Sequence, residues 1–176
     1  MKLLMHICCS NCALYPVSVL RERGIEIKGL WFNPNIHPFT EYQNRLDSLR
    51  KLETLWRLDV QYIDNYGLKE YLRNVAGNED NRCEYCYSVR LEKTAEKAKE
   101  MGADAFTTSL LVSPYQKFDM IIEMGRMMQE RYSVEFYIED FRKGFNDGRR
   151  MSKELGLYRQ KYCGCIYSEM ERYDRG

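Results

Sequence analysis

Apolar positions in the first third of the chain switch between two periods. A short apolar run at 2–7 is followed by helical spacing over about 13–23, which Gly24 ends, and then by a strand pattern at 25–32 that becomes apolar where it finishes. Strand, helix and strand at this spacing predict a βαβ unit with a right-handed parallel crossover.

The same alternation continues to the end of the chain. The pattern predicts further helices at about 39–56, 68–75, 83–100, 117–131 and 144–155, and further strands at about 59–64, 104–108 and 134–138. Five strands with intervening helices predict an α/β fold, namely a single doubly wound, mainly parallel, Rossmann-like sheet followed by a C-terminal helical segment that carries cysteines. Because a chain of 176 residues buries one substantial core, we expect a single domain over 1–176.

The loop after the first strand is the expected ligand position, because such sheets bind ligands outside the carboxyl ends of their strands. Cys8, Cys9 and Cys12 occupy this loop, which contains no glycine. The backbone cradle for a nucleotide phosphate is therefore missing. The sequence predicts thiol chemistry at the place where a phosphate loop would otherwise stand.

The seven cysteines form three groups: an N-terminal cluster (Cys8, Cys9, Cys12), a central pair (Cys83, Cys86) and a C-terminal pair (Cys163, Cys165). The first apolar run is too short for a signal peptide or a membrane span, so we expect a cytoplasmic protein without a membrane partner. Thiols stay reduced in the cytosol, and clustered cysteines there predict metal binding or a transient disulfide.

Each cysteine group leaves alternatives open. The central pair has metal-ligand spacing at a helix start, but it also fits a dithiol redox pair. Adjacent Cys8 and Cys9 favour a polynuclear site, whereas Cys9 and Cys12 with the central pair would form a four-thiolate zinc site. The C-terminal pair fits either a labile disulfide or two metal ligands.

Charge is nearly balanced over the whole chain, at +1, but not along it. Residues 142–161 contain seven Lys and Arg against two acids, a local net of +5. A solvated helix face explains such a run, and so does a nucleic-acid surface. Fourteen tyrosines add side chains that stack on unpaired bases.

Polar residues after other strands extend the candidate site. They are Glu41, Tyr42 and Arg45 after the second strand, Tyr115 and Gln116 after the fourth, and Asp140 and Arg142 after the fifth. Turn chemistry, helix capping and mutual ion pairing are the alternative explanations.

Several of these segments together resemble the epoxyqueuosine reductase QueH family. The motifs are Cys-Cys-x-x-Cys at 8–12, Asn-Pro-Asn-Ile-x-Pro at 33–38, Glu-Tyr-x-x-Arg at 41–45, Arg-Cys-x-x-Cys-Tyr-x-x-Arg-Leu at 82–91, Thr-Thr-Ser-Leu-Leu-Val-Ser-Pro-Tyr-Gln at 107–116, Asp-Phe-Arg at 140–142 and Tyr-Arg-Gln-Lys-Tyr-Cys-Gly-Cys at 158–165. The resemblance spans nearly the whole chain. It departs at Ser10-Asn11, where the family pattern has Ala-Pro.

The resemblance implies reduction of the epoxide of epoxyqueuosine, at the wobble position of tRNA, to the alkene of queuosine. It also implies a [4Fe-4S] cluster without cobalamin, an external electron donor and a fold akin to PP-loop ATPases. Removal of the oxygen takes two electrons, whereas a cluster transfers one at a time, so a second redox or metal centre is needed.

These implications give the expected roles of the side chains. Cys8, Cys9, Cys83 and Cys86 hold the cluster, Cys163 and Cys165 act as a redox pair or bind an adjacent mononuclear iron, and Cys12 joins either set. The substrate-binding residues are Glu41, Tyr42, Arg45, Tyr115, Gln116, Asp140, Arg142 and Arg159, with Tyr158 and Tyr162 as further stacking rings. A zinc-stabilised RNA-binding module and a PP-loop-like tRNA sulfur transferase are the competing functions.

Overall fold

One parallel sheet organises the computed structural model, which describes residues 1–174 and 176. Its strands are β1 (Lys2–His6), β2 (Glu26–Trp31), β3 (Asp59–Tyr62), β4 (Ala105–Thr108) and β5 (Glu135–Phe136). They lie in the order β3-β2-β1-β4-β5, and every neighbouring pair is parallel. The predicted five-stranded, doubly wound α/β architecture is thus confirmed.

Within the described part of the chain, seven α-helices accompany the sheet: α1 (Ser10–Glu22), α2 (Phe39–Trp56), α3 (Leu68–Val75), α4 (Arg82–Glu100), α5 (Phe118–Tyr132), α6 (Phe145–Glu154) and α7 (Ile166–Tyr173). Helix α1 begins earlier than predicted because the sulfur of Cys9 caps it, accepting a hydrogen bond from the Cys12 backbone N–H at 3.4 Å. Strand β5 is shorter than predicted, since it lies at the sheet edge and pairs with β4 alone.

The core lies around the central strands. Leu3, Leu4 and Met5 of β1 are fully buried, as is the whole of β4. Strands buried on both faces read as continuous apolar runs rather than alternating ones, which is the pattern at 2–7. None of the helices within residues 1–174 is long and apolar enough to cross a membrane.

Strand order reverses between β1 and β4, so the loops that follow these two strands diverge from one crevice. A buried polar network fixes their carboxyl ends: the ring nitrogens of His6 lie 2.9 Å from Thr108 Oγ1 and 3.1 Å from Asn33 Oδ1. Burial lowers the pKa of His6 to about 4, so its ring is neutral. The backbone N–H of Cys8 donates to Ser109 Oγ across the same crevice at 3.1 Å. The cysteine loop therefore starts from a rigid base.

Helix α6 packs against α1, and a glycine directly before α6 makes the closest approach. A Cβ atom at Gly144, directly before α6, would lie 2.2 Å from the ring of Tyr15, whereas one at Gly148 would meet its nearest neighbour, the Asn11 carbonyl oxygen, at 3.4 Å. This packing places α6, which lies in the basic segment 142–161, beside the loop that carries Cys8 and Cys9.

Candidate metal and substrate site

The three sulfurs of the N-terminal cluster lie together at the crevice. Their Sγ atoms are all within 4.8 Å of one another, and all three residues are buried. Cys8 and Cys9 extend from the end of β1, and the first turn of α1 brings Cys12 back beside them. Three thiols at these distances can bind one metal ion.

Within this cluster, the thiols stabilise one negative charge. Hydrogen bonds from the Cys12 and Cys9 thiols hold the pKa of Cys8 well below its usual value, despite burial. Burial raises the pKa of Cys9, and the bond to Cys8 raises that of Cys12. The buried Cys8 thiolate depends on hydrogen bonds from the neighbouring thiols, and a bound cation would stabilise it further.

A second group of cysteines surrounds the start of α4. Cys86 and Cys165 are both buried and pack in one small cluster with Tyr71 and Val75. Burial raises the pKa of Cys86 to about 12. Burial also opposes ionisation of Cys165, but hydrogen bonds, led by that from Ser168, outweigh it and lower the pKa of this thiol.

The side chain of Arg90 binds the second group of cysteines. It is 2% exposed, and its Nε and Nη2 donate to the carbonyl oxygen and Sγ of Cys86 at 2.8 and 3.0 Å. Burial alone would lower the pKa of Arg90, but negative charge on the sulfurs, Cys86 first and then Cys163 and Cys8, raises it overall. Among the described residues, it has no carboxylate partner. Sulfur is thus the group beside this buried guanidinium that could supply a counter-charge, once the Cys86 thiol is ionised.

The C-terminal pair is held in place from α2. Arg45 Nη1 and Nη2 donate to the carbonyl oxygens of Cys163 and Tyr162 at 2.8 and 2.9 Å, while its Nε pairs with Glu41 at 2.6 Å. Tyr158 donates to the other oxygen of that carboxylate. A Cβ at Gly164 would lie 3.3 Å from Arg45 Nη1, so glycine permits this close approach.

A pocket of about 630 Å³ opens where the segments meet. Cys8, Cys12 and Cys163 reach its wall, and Cys163 is exposed there. Gln116 Nε2 donates to Cys163 Sγ at 3.2 Å, and its Oε1 accepts from the Tyr87 hydroxyl at 2.7 Å. The cationic side chains on the wall are Arg149, Arg159, Lys161 and Arg172, and the aromatic ones are Tyr115, Phe145 and Tyr162.

The predicted substrate residues fall into two sets. Tyr115, Gln116 and Arg159 line the pocket. Glu41, Tyr42 and Arg45 are buried and bind protein groups; the Tyr42 hydroxyl, for example, donates to Asp64 at 2.7 Å. Asp140 and Arg142 are bonded to each other at the surface, at 2.6 Å. Among the described residues, these last five do not line the pocket.

Two residues of the site were given no role from sequence, although both stand in motifs of the family resemblance. Gln160 lies between the charged residues of the basic run, and its Nε2 is 3.0 Å from Cys9 Sγ. Arg90 follows Cys86 by one helical turn on the buried face of α4. A cation on the buried face of α4 is a signal that could have given Arg90 a role, whereas nothing in the 158–165 motif indicates that Gln160 faces the sulfurs.

Comparison with known proteins gives consistent results along the whole chain. The model of the family described as epoxyqueuosine reductase QueH matches residues 3–171. A protein named epoxyqueuosine reductase QueH from Dehalococcoides mccartyi is 40% identical, over 99% of this chain and 96% of its own length. The protein of that name from Thermotoga maritima is 36% identical, over 98% and 92%.

A solved structure shares the fold at low identity. A predicted subunit of tRNA methyltransferase from Methanocaldococcus jannaschii aligns with a TM-score of 0.54 and 10% identity, covering 88% of this chain and 74% of that one. This likeness concerns the α/β architecture alone.

Proposed function

This chain belongs to the epoxyqueuosine reductase QueH family, and from that premise we propose that it reduces epoxyqueuosine in tRNA to queuosine. The reaction takes two electrons and two protons, breaks both C–O bonds of the epoxide and releases the oxygen as water, leaving an alkene. The observation that carries the proposal is the convergence of Cys8, Cys12 and Cys163, from distant parts of the chain, on one cation-rimmed pocket.

The donor set fits an anionic iron-sulfur site. All seven cysteines are free thiols, and a [4Fe-4S] cluster takes four thiolates. The buried guanidinium of Arg90 lacks a carboxylate among the described residues and donates to Cys86 Sγ, so the site favours a negatively charged group. When bound, the cluster would supply electrons one at a time, and an adjacent iron would supply Lewis acidity.

The positions of the sulfurs favour a particular division between these two centres. The N-terminal cluster forms a compact set of three thiols. Cys86 instead packs with Cys165, and negative charge on Cys163 and Cys83 adds to burial in raising the pKa of Cys86. We therefore assign the cluster to the four thiols of the central and C-terminal pairs, and the adjacent iron to the N-terminal cluster. The division expected from sequence placed Cys8 and Cys9 on the cluster instead.

The pocket rim is the proposed tRNA surface. Its cations would contact backbone phosphates, and Tyr115, which is 81% exposed, would stack on an unpaired base. Arg159 lies on the same wall. Buried Glu41 and Arg45 would act indirectly, because they hold the backbone that carries Cys163.

The activity test uses tRNA carrying epoxyqueuosine and a low-potential chemical reductant under anaerobic conditions, with nucleosides analysed by mass spectrometry. The product nucleoside should be lighter by one oxygen. Iron and sulfide analysis of the anaerobically purified protein accompanies the assay: a brown protein with bound iron and sulfide supports the reductase. A colourless protein that contains zinc alone and leaves the epoxide intact contradicts it.

Serine variants distinguish the two divisions of the cysteines. Under the division proposed here, Cys163→Ser loses most cluster iron and sulfide, while Cys12→Ser keeps the cluster and loses turnover. Under the division expected from sequence, Cys163→Ser keeps the cluster. Retention of the full iron and sulfide content in Cys163→Ser would therefore refute our assignment without refuting the activity.

A further inference from the structure

The carboxamide of Gln160 lies against the N-terminal cluster. Its Nε2 is 3.0 Å from Cys9 Sγ and 3.7 Å from Cys12 Sγ, and the side chain lines the pocket. An amide can present either its N–H groups or its oxygen to a neighbour, and these two orientations have opposite effects on a sulfur that carries negative charge.

Two further side chains determine which end of the amide faces the sulfurs. Asn11 Nδ2 donates to Gln160 Oε1 at 2.8 Å, which occupies the oxygen and leaves the N–H groups for the cysteines. The hydroxyl of Ser152 on α6 donates to Asn11 Oδ1, and this fixes the orientation of Asn11 in turn. Ser152 is fully buried, so its hydroxyl has little freedom to bond elsewhere.

We propose that Gln160 is a positioning residue that raises the reduction potential of the metal centre held by the N-terminal cluster, and that Asn11 and Ser152 fix its orientation. An N–H donor stabilises negative charge on sulfur, and reduction of a thiolate-bound metal increases that charge. The donor therefore favours the reduced state. This inference rests on the metal site proposed above.

Redox titration of the anaerobically reconstituted protein tests the proposal. Gln160→Leu removes the donor without adding charge, and Gln160→Glu replaces it with a charged acceptor of the same shape. At the electrode potential that half-reduces the parent centre, the ratio of reduced to oxidised protein should fall about threefold in Gln160→Leu. In Gln160→Glu it should fall at least tenfold, which corresponds to about 59 mV for one electron.

Asn11→Leu tests the orientation, since it leaves Gln160 itself intact and adds no charge. Leucine has no donor for Gln160 Oε1, so the amide loses the contact that turns its N–H groups toward the sulfurs. The reduced-to-oxidised ratio should therefore fall in this variant too. The charge control is Gln129→Glu on α5, where the side-chain oxygen accepts from the Phe136 N–H at 2.8 Å and the new carboxylate can still accept it; its potential should match the parent.

A second measurement does not depend on the loaded enzyme. Co²⁺ titration of the metal-free protein, followed by thiolate charge-transfer absorption, should give severalfold weaker binding for Gln160→Leu than for the parent, because the sulfurs lose an N–H donor that stabilises their negative charge. Equal Co²⁺ affinity together with an unchanged potential in both Gln160 variants would overturn the proposal. If the parent protein binds neither iron nor Co²⁺ through thiols, the proposed metal site itself has failed.

Discussion

At the scale of single residues, the site is distinguished by the buried guanidinium of Arg90, whose positive charge lowers stability unless a negative charge lies beside it. Its hydrogen-bond partners are the carbonyl oxygen and sulfur of Cys86. Burial of a cation is costly unless an anion accompanies it, and here that anion would be the Cys86 thiolate that metal binding requires. The metal-free and metal-loaded proteins should therefore respond differently to loss of this charge.

We expect Arg90→Met to have opposite effects on the two forms. In the metal-free protein, where the Cys86 thiol has a raised pKa and is protonated, removing the unpaired cation should increase the free energy of unfolding by about 1 kcal/mol or more. In the iron-loaded protein, the same change should lower the melting temperature and the iron content. Anaerobic thermal unfolding of both forms measures the two effects.

Arg45→Met is the matched control, because Arg45 is equally buried but is paired with Glu41. Breaking a buried ion pair leaves a carboxylate without its partner and costs about 3 kcal/mol. This variant should destabilise both forms. A uniform loss of stability in Arg90→Met, like that of the control, would contradict the role assigned to sulfur.

The buried side chain of His37 makes the free energy of unfolding depend on pH. The ring is fully buried, neither nitrogen has a hydrogen-bond partner among the described residues, and burial lowers its pKa from 6.5 to about 4. Because the unfolded histidine binds a proton first, the stability present above pH 6.5 is lost as pH falls toward 4. The loss for this residue is about 2 kcal/mol at pH 5 relative to pH 8.

We expect His37→Phe to reduce this acid sensitivity, because phenylalanine fills the space between Tyr66 and Tyr71 without taking up a proton. Urea unfolding at pH 8 and pH 5 measures the difference between the two proteins. His6 and the carboxylates titrate in both and cancel. Parallel loss of stability in variant and parent would show that the His37 ring is not the group responsible.

At the scale of elements, the contact between α1 and α6 depends on two glycines with different surroundings. Gly144→Ala should destabilise the protein by about 1–3 kcal/mol, because its Cβ would overlap the Tyr15 ring. Gly148→Ala, inside α6, meets its nearest neighbour at ordinary contact distance and should stabilise by about 0.5–1 kcal/mol through helix propensity. Chemical denaturation of both variants checks this order, and equal effects would contradict it.

Strong local patterns made most elements predictable from sequence. The apolar run of β1 and the helical spacing of α2 reflect complete and one-sided burial, which hydrophobic periodicity reports directly. The C-terminal segment was expected to be helical, but hydrophobic periodicity could not give the first and last residues of α7, because none of its residues is buried. Its start is set by Cys165, whose sulfur accepts from the Ser168 N–H.

The candidate site was less predictable because it depends on contacts between distant segments. Sequence placed the N-terminal cluster directly after β1, where the structure has it. It could not show that the first turn of α1 joins Cys12 to Cys8, or that Arg45 faces the backbone of the C-terminal pair rather than the pocket. Tertiary packing decides where such a side chain points.

At the scale of the whole molecule, a nearly neutral chain concentrates its positive charge beside the sulfurs. Arg149, Arg159, Lys161 and Arg172 all line the pocket, although the net charge of the chain is +1. Contacts between cations and phosphates release counterions, so RNA affinity should fall steeply with salt. Two neighbouring arginines on α6 allow direct contact between RNA and this surface to be distinguished from general electrostatic attraction.

Arg149 and Arg150 are adjacent and exposed, but their surroundings differ. Arg149 lines the pocket, whereas Arg150 turns to Asp147, at 2.9 Å, and to Glu154 on the same helix. We expect Arg149→Ala to weaken binding of tRNA severalfold and to reduce the slope of log affinity against log salt by about 0.7, the value for one phosphate contact on a single strand. Arg150→Ala should change both much less, because its charge is already compensated locally. Filter binding across a salt series measures the affinity and the slope. The two variants lose the same charge from the same helix. Equal slopes would therefore mean that the tRNA contacts another face of the protein.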